Sequence, residues 1–250
     1  NNGFQIKNRR EGLACFLEKD PFNYSNKTVF TRGVFPKDTD VVENLHVFST
    51  SEPLNLLLLT KYPKLKKVSV HNSETSDVFP VLPNLEALQI QHCDDLIDLY
   101  NIEQCTELLA LKIQWCSSLK VLPKIVSPKL KILSVEWCQQ ITSLFPLDFP
   151  ELEYCSFIAT NHDDFSALAN CHNVKNLIIS WFKRDVTLPN LSECKQLTVL
   201  HLRSLGRVSE LPALAQDSIL EELDLSDMFQ LKNLSLPVLP MLKTLHADGC

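Results

Sequence analysis

The sequence predicts an α/β or mainly β solenoid, with about ten strands side by side in one parallel sheet on its concave face. Three observations carry that expectation. A unit of the form LxxLxLxx returns through most of the 250 residues. With its middle apolar residue as marker, the equivalents are Leu45, Val68, Leu88, Leu111, Leu133, Cys155, Leu177, Leu200, Leu223 and Leu245, at steps of 23, 20, 23, 22, 22, 22, 23, 23 and 22 by subtraction. The columns three residues before and two after the marker, from Val42 to Leu242 and from Val47 to Ala247, hold no polar residue. The spacing x-Leu-x-Ile is the third observation, because side chains of a strand reach the same face every second residue. Repetition at a fixed short period means stacked units that share one continuous core.

The clearest unit runs from Leu108 to Pro123. Leu111 and Ile113 alternate as in a strand, Cys116 marks a turn, and Leu119 and Leu122 return beneath it. Cysteine recurs in that turn column at Cys93, Cys138 and Cys250, and a Leu-Pro pair recurs near the end of the unit at Leu122-Pro123, Leu188-Pro189 and Leu211-Pro212. On these residues the stretch from Val42 to Cys250 resembles the leucine-rich-repeat proteins. Its cysteine-containing repeats are similar to those of intracellular immune receptors, and some bacterial effectors carry similar units. Ribonuclease-inhibitor-type repeats are longer and alternate two lengths. The turn column lacks the asparagine of many family members and holds Thr50, Ser73, Thr160, Phe182, Leu205 and Met228 besides cysteine. The resemblance implies a horseshoe-shaped protein-binding scaffold without a cofactor.

In chain order, residues 1–41 fall outside the template and are expected to form a cap or linker. Within them Glu11 to Lys19 places Leu13, Phe16 and Leu17 at helical spacing, and Asp20-Pro21 ends the pattern. Residues 42–250 form the repeat domain. Its first two units are loose and those from Leu85 to Pro146 the most regular. Strands are approached in two ways: by a proline two residues before the first leucine (Pro63, Pro83, Pro128, Pro150, Pro240), read as an extended lead-in, or by a polar segment ending in cysteine. The latter, Asn101 to Cys105 and Ser166 to Cys171, are expected to hold a helical turn on the convex face. Repeats six and seven place Asp163 and Asp185 where core leucines belong, so their loops are expected to swing outward. The last unit stops at its turn residue, from which a continuing array is expected.

Net charge of −6 gives no reason to expect nucleic acid or an anionic membrane as partner. No apolar run approaches the roughly 18 residues of a membrane span; Leu54 to Leu59 is the densest. Eight of nine cysteines occupy places set by the repeat, which reads as reduced thiols in a cytoplasmic protein. Sequons at Asn23, Asn26, Asn190 and Asn233 are the counter-indication, and they keep an extracellular receptor or adhesion domain among the alternatives. A glycine-rich phosphate loop, HExxH, CxxC and GxSxG are all absent from the sequence. Asn161-His162-Asp163-Asp164 and the stacked Cys93, Cys116 and Cys138 are read as a solvated loop and buried thiols, not as metal ligands.

The residues alternating with the buried columns are mostly polar. In repeats five to eight, however, Ile132, Tyr154, Ile158, Ile178 and Val199 are expected to lie exposed together. Trp115, Trp137 and Trp181 share one column just before the turn, and Trp137 and Trp181 flank that patch. The expected function is non-catalytic recognition of a protein ligand on the concave face, with no small-molecule substrate. The bearer is read as the sensing or partner-binding part of a larger intracellular receptor or effector. Substrate recognition within a ubiquitin-ligase complex is the alternative from the enzyme class.

Overall fold

The computed structural model describes residues 28–250 apart from 33, 49–52, 76–78, 123, 144–146, 148, 233 and 235. The segment Glu11 to Lys19 and Cys15 therefore lie outside the described residues. Eleven strands form one sheet in chain order: β1 (Thr28–Thr31), β2 (Asn44–Phe48), β3 (Lys67–His71), β4 (Ala87–Gln91), β5 (Ala110–Gln114), β6 (Ile132–Glu136), β7 (Tyr154–Ile158), β8 (Asn176–Ser180), β9 (Val199–His201), β10 (Glu222–Asp224) and β11 (Thr244–His246). All neighbours run parallel, and the marker residues stand opposite one another from Leu45 to Leu245.

The eleventh strand was not expected. In β1, Val29 pairs with Leu45 at a separation of 16 by subtraction, shorter than any later step. Its connection bypasses the leucine-bearing return segment, so the template could not find it.

The core lies between sheet and return segments. Leu65, Leu85, Leu108, Leu130 and Leu152 line its floor with the markers from Leu45 to Leu223 and with Leu96, Leu119 and Ile141, all buried, whereas the last marker, Leu245, is exposed. Opposite the sheet the helical elements among the described residues are short 3-10 turns, at Leu56–Lys61, Tyr100–Gln104 and Ser166–Asn170. These are helical turns where the sequence reading placed the last two. Each is too short to propagate an α-helix, so the fold is mainly β.

The two strand approaches prove to be one device. Leu65 N–H donates to Tyr62 O at 3.1 Å and Leu85 N–H to Leu82 O at 3.0 Å, which puts Pro63 and Pro83 at the second position of a β-turn. Leu108 N–H donates to Cys105 O at 3.3 Å and Val174 N–H to Cys171 O at 3.2 Å, closing the same turn without proline. Proline is favoured at that position because its φ is already set. It makes a bend there, not the extended lead-in expected.

Candidate functional site

The end of each strand decides both the repeat geometry and the shape of the rim. The residue just before the turn column takes a left-handed backbone in nine successive units: Asn72, His92, Trp115, Trp137, Ala159, Trp181, Ser204, Asp227 and Gly249, with φ between 47° and 77°. This turns the chain out of the sheet while its N–H still reaches the next strand, as Trp115 N–H does to Glu136 O at 3.0 Å. The following thiol points inward and donates to backbone carbonyls, Cys116 Sγ to Gln114 O at 3.5 Å and Cys138 Sγ to Glu136 O at 3.4 Å. Strand, turn and return thus repeat unit by unit around a leucine core.

This is a leucine-rich-repeat solenoid.

The left-handed column was present in the sequence and missed. Asn72, Asp227, Gly249 and His92 are residue types that tolerate positive φ, and they share a column with the tryptophans. For a tryptophan this backbone costs about 1–2 kcal/mol. Stacking along the rim offsets the cost at about 0.5–1.5 kcal/mol per aromatic pair. His92 lies 5.6 Å from Trp115 at 12°, and Trp115 lies 4.8 Å from Trp137 at 4°, so the rings are nearly parallel. In repeat six the column holds Ala159, whose small side chain leaves a gap. Two strands apart is about 9.6 Å in a sheet, yet Trp137 and Trp181 lean together to 6.0 Å at 42°. The ladder ends with the Arg203 guanidinium 5.8 Å over Trp181. Trp115 and Trp181 each remain 41% exposed.

On the open face of the sheet the expected apolar patch is only partly an exposed one. Ile132 and Tyr154 join Ala87 and Ala110 in a small buried cluster separate from the main core, with Ile178 packed at its border. Tyr154 is 6% exposed, and Ile132 and Val199 are also buried, contrary to the expected exposure. The reason is lateral. Strands about 4.8 Å apart bring side chains of one row into contact, so a row of large residues covers its own flanks. Ile158 and Ile178 keep part of their surface. Val199 is divided from Tyr154 by Asn176, which pairs with both in the sheet. Asn176 is buried, and its Oδ1 has no hydrogen-bond partner.

A polar group borders this cluster. The Glu136 carboxylate accepts from Gln114 Nε2 at 2.9 Å, Ser134 Oγ at 2.9 Å and Ser156 Oγ at 3.1 Å. Burial, then the nearby Glu136 charge, push the Tyr154 phenol well above its ordinary value, so it stays neutral. At the other end of the sheet His46 and His71 stack at 4.7 Å and 9°, and His71 Nε2 lies 2.6 Å from Ser69 Oγ. Burial lowers the pKa of His46.

Metal and thiol chemistry find little footing. Among the described residues no three His, Cys, Asp or Glu side chains converge as metal ligands. His162 is engaged with the Asp164 carbonyl and packs edge-on against Phe165 at 5.1 Å. Asp163 and Asp185 are exposed, and Phe165 fills the core beside Phe157 and Phe182. The two loops do not swing free, since Thr187 N–H donates to Asp163 O at 2.7 Å. The eight described cysteines are free thiols, and all but Cys250 are buried. Burial pushes Cys93 up to about 12 and Cys194 to about 11, which leaves them protonated and unreactive.

No protein-family description matches the chain, and no curated protein matches it by sequence. Among solved structures, it is similar to a leucine-rich-repeat protein of Leptospira interrogans, at 19% identity and a TM-score of 0.49 over 84% of this chain and 67% of that one. It is also similar to an internalin of Listeria monocytogenes, at 13% identity and a TM-score of 0.34 over 81% of this chain and 86% of that one. No helix among the described residues is long and apolar enough to cross a membrane.

Proposed function

We propose that the chain is a non-catalytic protein-recognition module, the sensing or partner-binding part of a larger intracellular receptor or effector. The observation that carries this reading is the half-exposed aromatic ladder along the rim that follows β5, β6 and β8, with the apolar cluster at the other end of the same stretch of sheet. Aromatic side chains next to a partly covered apolar surface are the usual anchors of protein interfaces. The docking surface consists of Ile158, Ile178, Trp137 and Trp181. Ile132 and Tyr154 are buried in the cluster that Ile178 borders, and Val199 is buried beyond Asn176. The buried, protonated thiols fit a reducing compartment.

Affinity capture with the parent chain and with Trp181→Ala and Ile178→Asp tests the reading. Loss of an anchor costs about 2 kcal/mol of binding, roughly thirtyfold in affinity. A partner held by the parent and by Gln91→Ala is expected to be released by both patch variants. Equal retention by all four chains would move the interface elsewhere.

A further inference from the structure

The rim turns of repeats seven and eight gather positive charge on a protein of net charge −6. Phe182 pairs with Leu205, and Trp181 N–H donates to Arg203 O at 3.0 Å, so Lys183 and Arg184 run beside the turn that carries Arg207. Lys183, Arg184 and Arg207 are exposed. Arg184 Nη1 reaches the Asn161 carbonyl at 3.5 Å, and among the described residues no carboxylate lies within salt-bridge distance of Lys183, Arg184, Arg203 or Arg207. By contrast, lysines on the opposite side of the strands pair across repeats, as in Lys66 with Glu86 and Lys175 with Glu153. Carboxylates also stand near these turns: Asp185 and Glu210 on them, Asp163 and Asp164 one repeat before, all exposed, and Asp227 one repeat on, which accepts from Ser204 Oγ at 3.1 Å.

Arg203 is the centre of the group. Its guanidinium lies over Trp181, and its Nε is buried without a hydrogen-bond partner. A donor withdrawn from water and left unpaired is unfavourable, and a guanidinium recovers most from a carboxylate that meets its planar fork. We propose that this rim is a docking site for an acidic segment of a polypeptide, with Arg203, seated over Trp181, as its central contact. The inference rests on the recognition reading above and adds the chemistry of the partner.

The test titrates the intact protein with a fluorescein-labelled oligoglutamate peptide at low salt, with oligoserine and oligothymidylate as comparison probes. Oligoglutamate is expected to bind, to weaken as salt screens the charges, and to lose about tenfold on Arg203→Gln. Lys183→Gln with Arg184→Gln is expected to give a similar loss. Arg203→Lys, which keeps the charge without the fork, is expected to recover only part. Melting curves of each variant separate lost binding from lost folding. The proposal is overturned if oligoglutamate does not bind, or if Lys64→Gln, a remote exposed cation, weakens it as much as Arg203→Gln. Stronger binding of oligothymidylate overturns it in favour of phosphate. Ile178→Asp lies on the open face and reports on the earlier reading through captured partners, so the two failures are distinguishable.

Discussion

A tryptophan at positive φ is a residue out of its preferred place, and the rim of this molecule holds three in one column. The ring stack must then repay the backbone, which predicts an inverted substitution rule. Glycine in place of alanine usually destabilises by about 0.5–1 kcal/mol, but a left-handed backbone reverses that order. Trp115→Ala is expected to lose about 1–2 kcal/mol, from two ring contacts, while Trp115→Gly loses less by about 0.5–1 kcal/mol. Denaturant midpoints of the two variants decide it; if alanine is the milder change, the backbone strain is absent. Tyr154 carries the opposite lesson. Its place in an outward column reads as solvent-facing, yet it is 6% exposed because Ile132 and its other row neighbours flank it. Alternation along a strand tells which face a side chain takes. It does not tell how far neighbouring strands cover that face, which depends on the sizes of residues a repeat away.

Among the elements, strand register was legible residue for residue, since every marker from Leu45 to Leu245 meets its neighbour in the sheet. The strand β1 was not, because its register with β2 is fixed by backbone pairing outside the repeat. Between strands, ion pairs tie adjacent repeats, and Glu153 joins two of them: Lys131 Nζ lies 3.2 Å and Lys175 Nζ 2.8 Å from its carboxylate oxygens. Burial opposes the charged form, but the bonds from Lys175 and Lys131 outweigh it and hold Glu153 below the usual carboxylate range. A depressed folded-state pKa gives stability that is present above the ordinary value near 4.5 and lost as pH falls through the folded-state value. The stability gap between the parent and Glu153→Gln is therefore expected to be constant at neutral pH and to close below about 4.5. Urea melts along a pH series measure it, and a gap that persists to strong acid would mean the lysines do not hold the charge.

Over the whole molecule, each strand pairs only with those next to it in sequence. Stability is then close to a sum of unit and neighbour terms, and damage should stay local. Leu111 is fully buried on β5, and an unpaired carboxylate there costs several kcal/mol. Leu111→Asp is expected to expose the amides of β4, β5 and β6 to hydrogen exchange while β9 and β10 keep their protection. Uniform loss across the sheet would show a more cooperative array than nearest-neighbour coupling allows. The repeat made this architecture readable from sequence. The rim was readable only in part, because the tryptophan column was plain while the bridging of Ala159 and the seat of Arg203 depend on side-chain size and direction.

The rim ladder also determines what light can report about this protein. Its three tryptophans all stand in the ladder, between the ends of β5 and β8. Two of the indoles lie 4.8 Å apart and nearly parallel, close enough for their electronic transitions to couple. Indole emission and the tryptophan bands of the near-ultraviolet dichroism therefore observe one edge of the middle repeats and are blind to the ends of the sheet. A partner settling on the rim changes them directly, whereas fraying at β1 or β11 leaves them unmoved. Disagreement between these signals and backbone dichroism during unfolding follows from where the chromophores sit, before any question of intermediates arises.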